Sequence, residues 1–372
     1  MPHAALILSC LALAAWLWLT FFHGGFWQLL LEDRSADPPV WPSIDVIVPA
    51  RNEAEALPQS LPSLLRQDYP GAWRIIVVDD HSDDGTGEIA HGLARIYGAD
   101  DRVTVIVPPP LAEGWSGKVA AMNAGAAESR ADFILFTDAD IEHPPGSLRR
   151  LAARAAAKDL DLTSRMVRLH CASLAEKLLV PAFVFFFAML YPFRRANRPD
   201  SRVAAAAGGV MLVRRRALDA IGGLACIQSA LIDDCALARA IKRHGGKIEL
   251  TLADDIRSLR EYPRFADIHR MVARSAWTQL NYSPLLLLGT CAGMALLFLL
   301  PPLFLLSGVA PGGAAWLIMS ALYVPMVRFY KQPAILALTL PFAAALYLIA
   351  TIDSARLHWQ GKGGQWKGRT QK

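Results

Sequence analysis

The sequence is poor in charged residues for its length, and this shortage limits what the protein can be. Asp, Glu, Lys and Arg make up 19% of the 372 residues and hydrophobic residues make up 53%, which is unusual for a soluble globular protein. The apolar excess lies at the two ends of the chain, whereas the middle has the charges and turn residues of a soluble domain. The composition therefore predicts membrane segments on either side of a soluble domain.

Cysteine is also scarce, and its spacing excludes two kinds of site. The five cysteines are scattered, odd in number and form no C-x-x-C pair. A disulfide framework or a structural zinc site is therefore not expected, and a reduced compartment is the simpler interpretation.

The sequence has no stretch in which basic and aromatic residues alternate, so a nucleic-acid surface is not expected. The net charge is only +5, and the basic residues gather near the apolar segments and in the last residues of the chain. This distribution suits contact with anionic lipid better than a nucleic-acid groove.

The N-terminal region, residues 1–31, is predicted to be a transmembrane anchor. Its apolar run is long enough to cross a bilayer of ~30 Å as a helix. The region lacks a basic n-region and a clear A-x-A site, which favours an anchor over a cleaved signal peptide. Prolines in residues 32–43 disfavour a helix or a central strand, so this segment is predicted to be a linker.

Residues 44–280 have the pattern of an α/β domain. Short apolar runs rich in β-branched residues (IDVIVPA, RIIVVDD, RVTVIV and FILFTDAD) alternate with amphipathic helical stretches. Such runs predict a mostly parallel, Rossmann-like sheet that is buried on both faces. Ligands of these sheets bind beyond the carboxyl ends of the strands, and three of the predicted strands end in polar, mostly charged residues.

Three further features complete the organisation. The stretch 174–193 is apolar, but Pro181 and Pro192 interrupt it; we predict an interfacial helix there, with an ordinary core helix as the alternative. Residues 281–351 hold span candidates near 284–306, 313–329 and 333–350, of which the first contains Pro301-Pro302 and is weak, as is the one ending at Arg328. Residues 352–372 form a basic tail.

The orientation in the membrane is only partly determined. Arg34 beside the first span predicts a cytoplasmic soluble domain by the positive-inside rule. Three further spans would then place the basic tail on the opposite side, against the same rule. The number of spans therefore stays open.

The strongest local pattern is Asp138-Ala139-Asp140 at the end of the run FILFT. Two carboxylates on either side of a small residue can converge on a hard divalent cation, and oxygen ligands suit Mg²⁺ or Mn²⁺. Such an ion offsets the charge that develops on a departing diphosphate. A surface pair of carboxylates is the alternative, but the position at a strand end favours the metal site.

Two other strand or helix junctions carry candidate donor-binding residues. Asp79 and Asp80 end the second strand and can accept hydrogen bonds from a base or a ribose, whereas helix capping explains only the acidic residues behind them. Gly117 and Lys118 open a helix, where backbone N–H groups and an ammonium can meet phosphate oxygens. The alternative is a plain loop-to-helix junction, and the Walker A spacing is not matched.

Asp233 and Asp234 begin another amphipathic helix. Acidic residues in a first turn are favoured by the helix dipole alone. The functional alternative is that Asp234 is a general base for an acceptor hydroxyl. The two interpretations stay open at this stage.

In this order, the motifs resemble those of the family 2 glycosyltransferases with a GT-A fold, over about residues 44–256. The matching pieces are Pro49 to Glu53, Val78-Asp79-Asp80, Gly117-Lys118 with Asn123 and Gly125, Asp138-Ala139-Asp140, and Asp233-Asp234.

The resemblance implies a role for each of these residues. Asp80 and Glu53 would contact the uracil-ribose part of a UDP-type donor, Asp138 and Asp140 would flank the metal and diphosphate with Asp140 as the direct ligand, and Asp234 would be the base of an inverting displacement. Asp233 replaces the usual glutamate beside that base. The implied donor-binding set is Pro49, Ala50, Arg51, Glu53, Asp79, Asp80, Gly117, Lys118, Asn123 and Asp138, with Mg²⁺ or Mn²⁺ as cofactor.

The acceptor side is less clear from the sequence. The Q-x-x-R-W signature of processive synthases is absent, and Arg274 and Trp277 stand at a different spacing. Transfer of a single sugar to a membrane lipid is therefore preferred over polymer synthesis. Gly208, Gly209, Arg274 and Trp277 are the candidate acceptor-side residues.

A narrower resemblance concerns the hopanoid-biosynthesis-associated glycosyltransferases. It implies a multi-pass enzyme of the bacterial inner membrane, with a hopanoid as one possible acceptor. The residues that carry it are Trp41-Pro42, Pro49 to Glu53, Gln67 to Gly71, Gly114 to Lys118, Pro181 to Phe187, Ala204 to Arg215 and Ile232 to Leu237.

Three alternatives remain beside this interpretation. A polyprenyl-phosphate sugar synthase would have a phosphate acceptor and need no base. A transporter or scaffold would carry a degenerate nucleotide domain, against which the intact set of acidic residues argues. A nucleotidyltransferase would release pyrophosphate instead of a nucleoside diphosphate.

Overall fold

The computed structural model describes residues 2–363, 365–366 and 369–370. The strands are β1 (Ile44–Ala50), β2 (Trp73–Asp79), β3 (Val103–Ile106), β4 (Phe133–Thr137), β5 (Ile141–Glu142), β6 (Leu162–Arg168), β7 (Val210–Arg214), β8 (Ile248–Ser258), β9 (Gln365–Trp366) and β10 (Arg369–Thr370). The α-helices are α1 (Pro2–Phe22), α2 (Leu57–Leu65), α3 (Thr86–Ile96), α4 (Gly117–Glu128), α5 (Ser147–Lys158), α6 (Leu174–Leu190), α7 (Phe193–Ala196), α8 (Arg215–Ala220), α9 (Asp233–Arg243), α10 (Phe265–Ala273), α11 (Ala276–Gln279), α12 (Pro284–Met294), α13 (Leu300–Leu306), α14 (Ala310–Phe329) and α15 (Leu340–Trp359).

These elements form two compact units. A helical unit comprises residues 2–29, 170–194 and 261–363, and a sheet unit comprises residues 30–169 and 195–260. The residues that the sequence analysis placed in one domain, 44–280, are thus shared between the units, because α6, α10 and α11 group with the apolar helices. The predicted linker, residues 32–43, lies in the sheet unit. The end of the predicted anchor does too, and there the Leu252 N–H donates to the Leu30 carbonyl at 2.8 Å.

The sheet unit is built on an eight-stranded mixed sheet in the order β3-β2-β1-β4-β7-β6-β8-β5. The pairs β1–β2, β1–β4, β2–β3 and β6–β8 are parallel, whereas β4–β7, β6–β7 and β5–β8 are antiparallel. The α/β class that the sequence predicted is confirmed. The chain order reverses between β1 and β4, and such a reversal point is where open α/β sheets bind their ligands.

Helices cover both faces of the sheet, which explains the continuous apolar strands. Every residue of β1 and of β4 is buried. On one face α4 lies so close to the sheet that a Cβ on Gly125 would stand 2.6 Å from the Ile47 Cγ2 atom and 3.0 Å from the Val78 Cγ2 atom. Gly125, which is part of the motif resemblance, is therefore a packing residue between α4 and the sheet.

The strands β1 and β4 separate at their carboxyl ends. β1 stays paired with β2 as far as Ala50 opposite Asp79, but its pairing with β4 ends at Ile47 opposite Phe136. Pro49, which has no N–H to donate, therefore lies in a central strand without interrupting a ladder on the β4 side. The two strands thus diverge at the reversal point, before the segments that follow Ala50 and Thr137.

The helical unit contains the apolar segments. Within the described residues, four helices are long and apolar enough to cross a membrane: His3–Phe22, Pro284–Leu306, Ala310–Phe329 and Ala334–Trp359. The span predicted to be weak at Pro301-Pro302 is one 23-residue helix with a π-helical turn, Ala295–Leu299, before the prolines. The Leu297 carbonyl, which Pro301 cannot pair because it has no N–H, accepts from the Trp16 indole N–H at 2.8 Å. The last helix runs to Trp359, beyond the predicted end near residue 350.

The phenylalanines of α6 pack inside the helical unit. The ring of Phe185 lies 5.0 Å from that of Tyr323, and the ring of Phe186 lies 5.2 Å from Phe298 and 5.4 Å from Tyr347. This packing fits the core-helix alternative for these two residues. An interfacial position of α6 as a whole stays a prediction.

Candidate active site

Lys118 joins two of the sequence motifs in the sheet unit. Its Nζ atom lies 2.8 Å from Asp138 Oδ1 and 3.4 Å from Asp233 Oδ2. The residue stands in the first turn of α4, whose N-terminus is capped by the Ser116 hydroxyl accepting from the Val119 N–H. Asp138 follows β4 in a turn closed by the Ile141 N–H donating to the Asp138 carbonyl at 3.2 Å. One ammonium thus connects the D-A-D turn to the start of α9.

Asp234 is held by backbone amides at the start of α9. Its Oδ2 atom accepts from the Gly208 N–H at 2.9 Å, and its Oδ1 atom accepts from the Cys235 N–H at 2.7 Å. A Cβ on Gly208 would stand 3.0 Å from Lys118 Nζ and 3.5 Å from Asp234 Oδ2. The backbone at Gly208 therefore lies directly against both charged groups.

The charges of this cluster shift two pKa values. Burial, and after it the neighbouring Asp233 carboxylate, raises the pKa of Asp234 to about 6. Burial alone would lower the pKa of the Lys118 ammonium, but the carboxylates of Asp138 and Asp233 outweigh burial and raise that pKa. A carboxylate with a pKa near neutrality can exchange a proton at physiological pH.

Arg260 joins two further motif carboxylates and was missed by the sequence analysis. Its Nε atom donates to Asp140 Oδ2 at 2.7 Å, and its Nη2 atom donates to Glu53 Oε1 at 3.2 Å. Arg260 follows β8, far outside the motifs in the chain. The acidic motif residues are the signal that could have predicted a cation such as Arg260, because carboxylates that come together in a half-buried position need positive charges beside them.

The segments after β1 and β2 are joined through Arg51. Its Nη1 atom donates to the Asp80 carbonyl and, at 3.2 Å, to the His81 carbonyl, and it lies 3.8 Å from Asp80 Oδ2. Asp79, predicted as a donor-binding residue, faces the chain itself. Its Oδ1 accepts from the Ser82 N–H at 2.9 Å, and a Cβ on Gly87 would stand 2.7 Å from its Oδ2.

Five other predicted site residues lie in the sheet unit. Pro49 and Ala50 end β1, Gly117 begins α4 and Asn123 is half-buried on α4, while Gly209 packs against Val167 and Ile141.

Two of the four acceptor-side candidates belong to the helical unit. Arg274 is exposed there. Trp277 is buried, with its backbone N–H donating to Ser354 Oγ at 2.9 Å and its ring 5.5 Å from that of Trp359. Trp277 thus packs against α15, and its acceptor-side role stays a prediction.

A known family matches a stretch of the chain that includes most of the sheet unit. Residues 45–222 match the model of the family described as glycosyl transferase family 2. The chain contains a family 2 glycosyltransferase domain. The match covers β1 to β7 and includes the D-A-D turn and Lys118, and it ends shortly before Asp233.

Relatives of this glycosyltransferase domain match it over part of their length. A probable glycosyltransferase of Bacillus subtilis, YdaM, is 34% identical over 125 residues, which is 32% of this chain and 28% of that protein. The 4,4'-diaponeurosporenoate glycosyltransferase of Staphylococcus haemolyticus is 36% identical over 31% of this chain and 28% of its own. An undecaprenyl-phosphate 4-deoxy-4-formamido-L-arabinose transferase of Pseudomonas aeruginosa is 35% identical over 30% and 32%. The chain thus spans less than a third of each relative.

A solved structure shares the fold over nearly the whole chain. The mannosyltransferase PcManGT from Pyrobaculum calidifontis, in complex with GDP-Man and Mn²⁺, superposes with a TM-score of 0.59. The two chains are 21% identical, and the superposition covers 95% of this chain and 98% of the other. The similarity establishes the GT-A type of fold for the glycosyltransferase domain.

The carboxylates of the D-A-D turn suit a divalent cation whose remaining ligands come from water and a substrate. Asp138 and Asp140 offer hard oxygen donors of the kind that Mg²⁺ and Mn²⁺ prefer. Within residues 2–363, 365–366 and 369–370, no group of three or more His, Cys, Asp and Glu side chains converges on one point. Mg²⁺ sites of one or two carboxylates are completed by water and substrate phosphates, so the donor set suits an ion that binds together with a diphosphate.

Replacement of Gly208 by alanine is expected to displace the Lys118 ammonium from its position in the site. The new Cβ would force the Lys118 ammonium to move by a few tenths of an ångström, whereas its 3.5 Å distance from Asp234 Oδ2 is an ordinary contact. Since a misplacement of ~1 Å can cost about 100-fold, we expect kcat/KM of Gly208→Ala to fall about tenfold or more. The measurement is steady-state transfer at varied donor concentration, with unfolding temperatures recorded in parallel.

Gly92→Ala is the matched control for this variant. Gly92 lies inside α3, and its Cβ would meet no atom within 4 Å. We expect unchanged kinetics and a stabilisation of about 0.5–1 kcal/mol from helix propensity. Wild-type kinetics for Gly208→Ala would contradict the close approach at Lys118.

Proposed function

We propose that the protein is an inverting glycosyltransferase that moves one sugar from a nucleotide-diphosphate sugar to a membrane lipid. The observation that carries this proposal is the Lys118 bridge, in which one ammonium pairs with Asp138 of the D-A-D turn and with Asp233, the neighbour of Asp234 in α9. The carboxylate of the D-A-D turn suits the diphosphate side of a donor, and the acidic start of α9 suits an acceptor hydroxyl.

Asp234 is the base in the proposed reaction. Its carboxylate takes the proton of the acceptor hydroxyl while the acceptor oxygen forms a bond to the anomeric carbon. The bond from that carbon to the diphosphate breaks on the opposite face, and the nucleoside diphosphate leaves with the electron pair. Mg²⁺ or Mn²⁺, when bound at Asp138 and Asp140, offsets the charge on the leaving diphosphate. Lys118 adds a fixed positive charge beside Asp138.

The donor and acceptor follow from the resemblance and the apolar helices. We propose a UDP-linked donor, with Asp80 and Glu53 on the nucleoside side. We propose a multi-pass protein of the bacterial inner membrane with the glycosyltransferase domain in the cytoplasm. The four apolar helices support the membrane part of this proposal. A lipid acceptor, with a hopanoid as the specific candidate, can reach such an enzyme from the bilayer.

A second candidate function is sugar transfer to a polyprenyl phosphate. It is favoured by the relative that is an undecaprenyl-phosphate 4-deoxy-4-formamido-L-arabinose transferase. A phosphate acceptor is already ionised near neutral pH, so it needs no general base. The two candidates therefore differ in how strongly transfer depends on Asp234.

The deciding experiment is a screen of labelled UDP- and GDP-sugars against extracted bacterial lipids in the presence of Mg²⁺ or Mn²⁺. The expected result is label in a lipid and an equal amount of nucleoside diphosphate. Release of pyrophosphate would instead indicate a nucleotidyltransferase. Failure to bind any nucleotide in a metal-dependent way would indicate a scaffold with a degenerate domain.

The pH profile of transfer to a hydroxyl-bearing lipid tests the assignment of the base. Because the pKa of Asp234 is raised to about 6, its carboxylate is lost as the pH falls through that value. We expect kcat/KM to be level above this pKa and to fall about tenfold per pH unit below it. In Asp233→Asn the charge that raises this pKa is removed, so the acid limb should move to lower pH. An acid limb at the same pH in both proteins would contradict the coupling.

A further inference from the structure

A buried polar cluster lies behind the D-A-D turn, outside every motif. The Thr137 hydroxyl donates to the Gly209 carbonyl at 2.8 Å, and His143 Nε2 lies 2.9 Å from the same hydroxyl oxygen. His143 Nδ1 lies 3.2 Å from the Ser147 hydroxyl. Thr137, His143 and Ser147 are each 1% exposed. Polar groups buried this deeply are costly unless all of them are paired, and paired networks specify one arrangement.

The hydrogen bonds of this cluster require one form of the imidazole ring. Because the Thr137 hydroxyl gives its proton to the Gly209 carbonyl, it can only accept from His143, so Nε2 carries a proton. A neutral ring then leaves Nδ1 to accept from the Ser147 hydroxyl. Burial lowers the pKa of His143 to about 3, which keeps the ring neutral near physiological pH. In this tautomer both ring nitrogens and both hydroxyls have partners.

The cluster contacts the backbone on both sides of the site. Thr137 directly precedes Asp138. Ser60, which is outside the cluster, also holds this turn, since its hydroxyl donates to the Ala139 carbonyl at 2.6 Å. On the other side, Gly209 follows Gly208, whose N–H holds Asp234. Strand pairing between β4 and β7 ends at Thr137 opposite Val210, so it does not extend to either carboxylate. The His143 cluster thus connects the D-A-D turn to the segment Gly208-Gly209 through the Thr137 hydroxyl.

We propose that His143 is a positioning residue that, through Thr137 and the Gly209 carbonyl, fixes the D-A-D turn relative to Gly208 and Asp234. The proposal rests on the function proposed above, and it assigns a role to a residue that touches neither donor nor acceptor. Supporting residues of this kind matter because a metal site must be held within about 0.5 Å of its productive geometry. The loss of such support typically costs about 10- to 100-fold in metal affinity or activity.

The test compares four variants of the full chain: His143→Leu, Thr137→Val, their combination and Thr137→Ser. Mn²⁺ binding in the presence of UDP or GDP is followed by electron paramagnetic resonance of the free ion, and kcat and KM are measured separately. We expect His143→Leu and Thr137→Val each to weaken Mn²⁺ binding and to lower kcat by about 10- to 100-fold. The double variant should bind Mn²⁺ and turn over no less well than the more impaired of the two single variants, since both substitutions act through one hydroxyl. Thr137→Ser, which keeps the hydroxyl, should restore wild-type behaviour.

Tyr69→Phe is the control for loss of a buried hydrogen bond. The Tyr69 hydroxyl donates to the Pro42 carbonyl near the start of β1, at the opposite edge of the sheet. It should lower the unfolding temperature without changing Mn²⁺ binding. If Thr137→Val and His143→Leu behave like Tyr69→Phe, the positioning role is overturned. If His143→Leu does not fold, Thr137→Val against Thr137→Ser decides alone. Wild-type protein that binds no Mn²⁺ with either nucleotide would overturn the proposed function itself.

Discussion

Asp234→Asn is expected to slow sugar transfer to a lipid hydroxyl by about 100- to 10,000-fold, which is the usual contribution of a general base. The amide has one acceptor oxygen, so it keeps one of the two backbone hydrogen bonds that the carboxylate accepts from the Gly208 and Cys235 N–H groups. What is lost is the ability to take a proton near pH 6, which the raised pKa of Asp234 provides. Nucleotide and Mn²⁺ binding should remain within a few-fold of wild type, because Asp138 and Asp140 are unchanged.

The same variant separates the two candidate functions. With a polyprenyl-phosphate acceptor, Asp234→Asn should retain most of its activity, since the nucleophile needs no deprotonation. Asp101→Asn, an exposed change just before β3, is the matched control and should behave as wild type with either acceptor. Full activity of Asp234→Asn on a lipid hydroxyl would contradict its assignment as the base.

The second large effect concerns stability, at the buried ion pair of Glu32 and Arg165. Both side chains are less than a tenth exposed. Burial raises the pKa of Glu32 against the opposing influence of Arg165, and burial lowers the pKa of Arg165. Glu32→Gln leaves a buried guanidinium without its charge partner, which typically costs about 3–5 kcal/mol. For a unit of this size we expect an unfolding temperature lower by roughly 6–20 °C.

A double replacement tests the cause of this loss. Glu32→Gln combined with Arg165→Met removes both charges, and we expect most of the unfolding temperature to return, because no unpaired charge stays buried. Arg198→Met is the control, since its partner Asp200 and the arginine itself are both largely exposed. It should leave the unfolding temperature unchanged. Equal losses in the single and double variants would show that packing, and not charge, is responsible.

The sequence alone predicted the parts of the fold that depend on local pattern. Continuous apolar, β-branched runs fix β1, β2, β3 and β4, because a strand between two helical layers must be apolar on both sides. The same reasoning placed Glu53, Asp80 and the D-A-D turn at one edge of the sheet, since parallel strands bring their carboxyl ends together. Runs of about 20 apolar residues likewise identified the four candidate spans.

Other elements did not follow from local pattern. β6, β7 and β8 have mixed composition, and their order and antiparallel pairing depend on which neighbours they meet in the sheet. Pro301-Pro302 suggested a break, yet the structure has one helix there, with a π-helical turn before the prolines. Asp79 and Asp80 look equivalent in the sequence, but the structure turns Asp79 towards its own loop and Gly87.

The D-A-D turn illustrates which features of the site the sequence determined and which the tertiary structure determined. Its two carboxylates and their position after β4 were determined by the sequence, because strand ends and polar residues are local features. The tertiary structure alone decided that Arg260 pairs with Asp140 across 120 residues, that Lys118 joins Asp138 to Asp233, and that His143 lies behind the turn. The physical reason is that these contacts compensate buried charge and polarity, and that need arises only when distant segments fold together.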